Sequence, residues 1–188
     1  MIDKLYIKNM VCDRCILVVK TELEKLNIPY KEIQLGEVTL INNIADTTQE
    51  TLKATLTNLG FEIIDDKKRR ISEKVKNTII QLIHQQDLVL PNNLSDILTD
   101  ALHLDYNYIS NLFSETEGTT IEKYFIAQKI ERVKELLKYD ELTLSEIANQ
   151  MNYSSVAYLS NQFKKITGIT PSNFKQNIAV KRKPLDKV

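Results

Sequence analysis

"YLSNQFKKITGIT", residues 158–170, is an amphipathic run ending in a glycine turn, and a close relative of it, "YISNLFSETEGTT", stands fifty positions earlier at residues 108–120. Tyr, Ser, Asn, Phe, Gly and the final Thr recur in register between the two. The middle differs, because Lys164 and Lys165 occupy the places of Ser114 and Glu115. One structural unit is used twice, with its surface chemistry changed. On a helical wheel of about 100° per residue, Val156, Leu159, Phe163 and Ile166 share one face of the later copy. Ala157, Asn161 and Lys164 lie opposite, flanked by Tyr158 and Lys165. In the earlier copy Ile109, Leu112, Phe113 and Thr116 point inward, and Asn107, Tyr108, Asn111 and Ser114 point outward.

A face of amides, small residues and aromatics suits a helix laid in the major groove of DNA. Asn and Gln bond adenine edges bidentately, and small side chains touch the thymine methyl. The candidate contact residues are Asn107, Tyr108, Ser110 and Asn111 in the first copy, and Ser155, Ala157, Tyr158, Asn161, Lys164 and Lys165 in the second. No acidic residue occurs from 164 to 183, a stretch that also holds Lys175 and "VKRK". Such a region supplies phosphate contacts and salt dependence. The competing reading is an all-helical domain whose polar faces are merely solvated.

The surroundings repeat the same grammar. "NLSDILTDALHL", opened by Asn93, precedes the first copy, and "LTLSEIANQMNY", opened by a Thr143-x-x-Glu146 capping box, precedes the second. The long "IEKYFIAQKIERVKELLK" joins the halves, and "ISEKVKNTIIQLIHQ" leads in. Each half reads as a short helix, a tight turn and a second helix ending in glycine, the pattern of a helix-turn-helix.

The stretch "IANQMNYSSVAYLSNQFKKITGITPSNFK" resembles the C-terminal signature of the AraC/XylS family of transcription regulators. Ile147, Ala148, Tyr153, Phe163, Lys164, Lys165, Gly168, Thr170, Pro171, Phe174 and Lys175 carry the match. "YISNLFSETEGTTIEKYFIAQKIERVKELL" resembles the family's first motif and connecting helix, so the resemblance covers roughly residues 74–178. It implies two motifs on one long helix, reaching successive major grooves of double-stranded DNA, with RNA polymerase as a further partner. Two positions depart from the family pattern. Asn152 stands where glycine is usual, and asparagine tolerates the positive φ required. Ser114, Glu115 and Glu117 replace basic residues, which shifts phosphate affinity toward the second motif.

The N-terminal third reads differently. "KLYIKNM" alternates; "CILVVKTELEKL" places Val18, Val19, Leu23 and Leu26 at helical spacing; "YKEIQLGEVTLIN" reads as a hairpin around Gly36-Glu37. "TTQETLKATLTNLG" is a second helix with Leu52, Leu56 and Leu59 inward and Gly60 closing it, and "FEII" a last strand. The order is βαββαβ, a ferredoxin-like arrangement. "NMVCDRC" joins its first strand to its first helix, and a helix N-terminus favours thiolates. Cys12 and Cys15 could grip a soft cation such as Cu(I), Hg(II), Zn(II) or Cd(II), with Met10 and Asp13 as further candidate ligands. A thiol-reactive role and inert cysteines on an inherited scaffold are the alternatives. This segment resembles the heavy-metal-associated domain of copper chaperones over roughly residues 3–66. Asn9 replaces the usual glycine, and Asp13 and Arg14 sit between the cysteines.

The expected organisation is thus an α+β domain over 1–66, a linker at 67–72, an all-α DNA-binding domain over 73–180 with two helix-turn-helix motifs, and a basic tail at 181–188. The 188 residues carry 25 basic and 25 acidic side chains, so charge must be read locally. Two cysteines three apart exclude a disulfide framework. With no long apolar run, the expectation is a cytoplasmic protein without a membrane partner. No Ser/His/Asp set, paired-carboxylate site or phosphate-binding glycine loop is present, and no catalysis is expected. His84 and His103 are isolated and read as structural or exposed. The functional expectation is a transcription regulator whose cysteine domain senses a soft metal or a thiol-reactive signal, the N-terminal sheet being a candidate dimerisation element. A metal carrier, or a regulator whose first domain is only an interaction scaffold, is the alternative.

Overall fold

The computed structural model describes residues 4–64, 66–84 and 93–176. They fall into two compact units that divide between Asn77 and Thr78. The first is built in the order β1 (Lys4–Lys8), α1 (Asp13–Lys25), β2 (Tyr30–Gln34), β3 (Glu37–Leu40), α2 (Asp46–Asn58) and β4 (Glu62–Ile63). Its strands form one antiparallel sheet in the order β2-β3-β1-β4. The alternation of "KLYIK" sets the layers. Leu5 and Ile7 are buried, opposite Val38 and Ile63, and Lys4, Tyr6 and Lys8 face the other way. Val19 and Leu23 of α1 and Leu52 and Leu56 of α2 complete the core.

Two expected inward residues are not inward. Leu59 is 47% exposed because α2 has ended, and Leu59 is its C-cap before the positive-φ Gly60. Val18 lies on the exposed side of α1, next to the buried Val19. The hairpin turn is Leu35-Gly36, one residue earlier than the sequence suggests.

The charged run at 67–72, expected as a linker, is the start of helix α3 (Lys67–His84). Asp66 explains why. Its carboxylate accepts from the N–H groups of Lys68 (2.7 Å) and Arg69 (3.0 Å) and so caps the helix. Those bonds, with the Arg69 one dominant, hold the Asp66 carboxyl below its usual range. The basic side chains find partners on the first unit. Arg69 pairs with Glu62 at 2.8 Å and Lys74 with Glu37 at 3.1 Å, and the Arg70 guanidinium lies 4.6 Å from the centre of the Tyr6 ring. The first turns of α3 therefore dock on the polar face of the sheet around Tyr6.

Gly36 is held at φ +80°, its carbonyl accepts from Ile7 N–H, and the Asn77 amide donates to the neighbouring Leu35 carbonyl at 3.1 Å. An added Cβ would stand 2.2 Å from Asn77 Nδ2. Gly36→Ala is therefore expected to destabilise the first unit by roughly 2 kcal/mol, from the left-handed strain and the displaced Asn77 together. Urea unfolding followed by circular dichroism measures it; an unchanged midpoint would contradict the tight approach.

The second unit comprises the remainder of α3, then α4 (Leu94–Leu102), α5 (Tyr106–Glu117), α6 (Ile121–Tyr139), α7 (Leu144–Gln150), α8 (Val156–Thr167) and α9 (Pro171–Gln176). The helices start where polar caps stand. Asp105, Thr120, Thr143 and Ser155 each accept from the N–H three residues on. Thr143 and Glu146 form the reciprocal capping box. The core gathers Leu98, Ile109, Phe113, Ile130, Val133, Ile147, Leu159 and Phe163, all fully buried. Within α6, Glu131 and Lys134 form a buried ion pair at 2.6 Å. No described helix is long and apolar enough to cross a membrane.

Candidate nucleic-acid interface

The repeat seen in the sequence is a repeat in three dimensions. Asp105 and Ser155 cap α5 and α8; Gly118 and Gly168, both at positive φ, close them. Phe113 stacks edge-on against Tyr124 at 5.6 Å, and Phe163 does the same against Phe174 at 5.5 Å. Thr120 and Thr170 then cap the following helices through the N–H groups of Lys123 and Asn173. The duplication thus extends past the quoted stretches to the aromatic at 124 and 174.

The sides of α5 and α8 away from these seams carry the expected residues. Asn107, Tyr108 and Asn111 are exposed, Ser110 and Ser114 partly so. Ala157, Tyr158, Asn161, Lys164 and Lys165 are exposed on α8. Ser155 is exposed too, but its oxygen accepts from Tyr158 N–H at 3.1 Å, which makes it the cap of the helix. Ile166, expected inward, is 45% exposed. Its counterpart Thr116 is only partly buried, so the last turn of each helix lies beyond the closed seam. Asn152 adopts φ +50°, the left-handed geometry that asparagine tolerates, and His103 at φ +53° ends α4 in the same way.

Lys175 is paired with Asp140, so it is not simply available to a phosphate. "VKRK" at 180–183 and the tail at 181–188 lie outside the described residues. Lys164 and Lys165 remain as exposed cations in the last turn of α8.

Sequence reasoning missed a group behind α8. The Tyr153 hydroxyl donates to Gln162 Oε1 at 2.6 Å, and its ring meets the Tyr158 ring edge-on at 5.9 Å. Lys129 of α6 places its ammonium 3.9 Å from the centre of the Tyr153 ring. Burial brings the Lys129 pKa down to about 8, and burial also pushes the Tyr153 phenol up, so the phenol keeps the proton it donates. The available signal was a mismatch in the repeat: Leu112 in the first copy corresponds to Gln162 in the second.

In the first unit, Asn9 adopts φ +70° and its amide donates to the Gly60 carbonyl at 2.8 Å, fixing the cysteine loop. The Cys12 and Cys15 sulfurs are 3.6 Å apart. Cys12 is exposed; burial pushes the half-buried Cys15 thiol up. Two sulfurs bonded to one metal at about 2.3 Å and a tetrahedral angle would be about 3.8 Å apart, so the pair is nearly set for chelation. Met10 is fully buried in the core, which removes its thioether from the loop surface. Asp13 is exposed in the first turn of α1. Among the described residues no group of three or more His, Cys, Asp or Glu side chains converges. A two-thiolate donor set suits soft, low-coordinate ions such as Cu(I) or Hg(II); Zn(II) or Cd(II) would need ligands from elsewhere.

Residues 98–177 match the family model described as a helix-turn-helix domain. Over that stretch the chain carries a helix-turn-helix domain. The relatives it resembles are named as transcriptional regulators and operon regulatory proteins. The chain is 26% identical over 137 residues to the uncharacterized HTH-type transcriptional regulator YtdP of Bacillus subtilis, covering 68% of this chain and 17% of the relative. It is 28% identical to the Msm operon regulatory protein of Streptococcus mutans, with 54% and 36% covered. It is 30% identical to the xylose operon regulatory protein of Escherichia coli, with 43% and 20% covered. The chain thus spans between 17% and 36% of the length of these relatives. The C-terminal domain of AraT, a response regulator from Geobacillus stearothermophilus, shares the fold at a TM-score of 0.50 and 20% identity, with 63% of this chain and 97% of that one covered.

Proposed function

We propose that the chain is a transcription regulator that binds a specific duplex site through α5 and α8, laid in successive major grooves. The observation that carries this reading is the duplication: each helix turns a buried seam inward and an amide-bearing face outward. Successive grooves lie roughly 34 Å apart along the duplex. Asn107, Tyr108, Ser110 and Asn111 read one, with Ser155, Ala157, Tyr158, Asn161, Lys164 and Lys165 on the other. Since α5 carries Ser114 and Glu115 where α8 carries two lysines, most phosphate attraction comes from α8.

The first unit enters this reading as a ferredoxin-like domain of the heavy-metal-associated type, whose cysteines hold a soft metal ion and report it. Its strand order and the near-chelating Cys12–Cys15 distance support this. A metal bound by two thiols displaces their protons, and regulation requires that it bind the DNA-competent and DNA-incompetent states unequally.

Selection from a random duplex library should enrich one sequence, and its binding should weaken steeply with salt. Failure to enrich any sequence would end the DNA-binding reading. Cys12→Ser/Cys15→Ser should abolish Cu(I) uptake while leaving affinity for the selected duplex in the metal-free protein within about twofold, because the substitutions leave the residues of α5 and α8 untouched. Undiminished uptake by the double variant would remove the metal site.

A further inference from the structure

We propose that Tyr153 is a positioning residue that fixes Gln162 on the flank of α8, so that the second motif discriminates base sequence through a side chain that the first motif lacks. This rests on the DNA-binding reading above. The two motifs match at their caps, seams and closing glycines, and they part company at 112 and 162. Leu112 is 4% exposed and completes an apolar seam. Gln162 takes the same place in register, is partly exposed, and has its carbonyl tied to the Tyr153 hydroxyl at 2.6 Å.

A polar pair at a position that an aliphatic side chain fills in the sister motif is a weak choice for stability, since hydrogen bonds add little net energy there. It is a strong choice for orientation. With its oxygen engaged, Gln162 offers its amide N–H groups as donors, beside Tyr158 one turn earlier and Lys165 three residues later. Tyr153 is itself held from behind by the Lys129 ammonium, 3.9 Å from the ring centre, and it braces the exposed Tyr158 ring edge-on. The phenol, not the ring alone, does the aiming. Donors so placed recognise acceptors on a base edge, such as guanine O6 and N7 or thymine O4.

Tyr153→Phe keeps the ring under Lys129 and deletes only the hydroxyl. With the duplex enriched by the wild-type protein and a set of single-base variants of it as probes, Tyr153→Phe should lose about tenfold in discrimination at one or two adjacent base pairs. Affinity for scrambled duplex and the salt slope should not change. Gln162→Leu, which installs the first motif's residue, should lose the same discrimination at the same positions. The double variant should lose no more than Gln162→Leu alone, because the hydroxyl acts through Gln162. Unaltered discrimination in Tyr153→Phe, or equal losses on selected and scrambled duplex, would overturn the proposal. So would additive losses in the double variant. A wild-type protein that enriches no duplex would instead overturn the underlying DNA-binding reading.

Discussion

Phe163→Ala should cost the second unit about 3–5 kcal/mol, a large part of what a domain of this size has to lose. The ring is fully buried and edge-on to Phe174. Removing it deletes the transfer energy of the phenyl group and leaves a cavity beside the Phe174 ring. The same ring position is filled by Phe113 in the first motif, against Tyr124, so Phe113→Ala should behave alike. Ile166→Ala serves as the control. Ile166 is 45% exposed, and its truncation should stay within about 0.5 kcal/mol of wild type. Urea titration followed by far-ultraviolet circular dichroism separates the two, with the midpoint falling at similar slope for Phe163→Ala. Equal effects of the two substitutions would contradict the assignment of inner and outer faces on which the interface depends.

Reversing Lys164 and Lys165 together to Glu should lower duplex affinity by about 100-fold or more near physiological salt. Both side chains are exposed in the last turn of α8. Each phosphate contact contributes roughly 0.9 to the slope of log affinity against log salt, so losing two should flatten that slope by about 2. Because phosphate contacts position without reading sequence, selected and scrambled duplexes should weaken alike. That separates this variant from Tyr153→Phe, which should alter discrimination alone. Anisotropy titrations at several salt concentrations measure both quantities. Wild-type affinity and slope in the double reversal would move the interface away from α8.

Much of the architecture could be read from residue order. Leu159, Phe163, Ile109 and Phe113 recur at helical spacing, and their burial follows from it. The Thr143 and Glu146 box started α7 as its residue types required, and Asn152 took the left-handed turn that asparagine tolerates. Apart from Val18 in the middle of α1, the misplaced apolar residues fell at element ends. Leu59 and Ile166 continue their apolar stripes on a wheel, yet a wheel does not know where the helix stops or where its neighbour ends. The basic run at 67–72 looked like a linker because lysine and arginine seldom sit against a fold. It is helical because Asp66 caps it and because Tyr6, Glu37 and Glu62 wait on the sheet.

The candidate site divides along the same line. The sequence by itself determined that two copies of one motif exist, which faces they bury, and that their surface chemistry differs at Lys164 and Lys165. Only the tertiary structure decided that Met10 belongs to the core, that Lys175 is paired with Asp140, and that Lys129, Tyr153 and Gln162 converge. The physical reason is range. Periodicity and capping act within a few residues of one helix, whereas these contacts join side chains of different helices and of the turns between elements, and exist only once packing has brought them together.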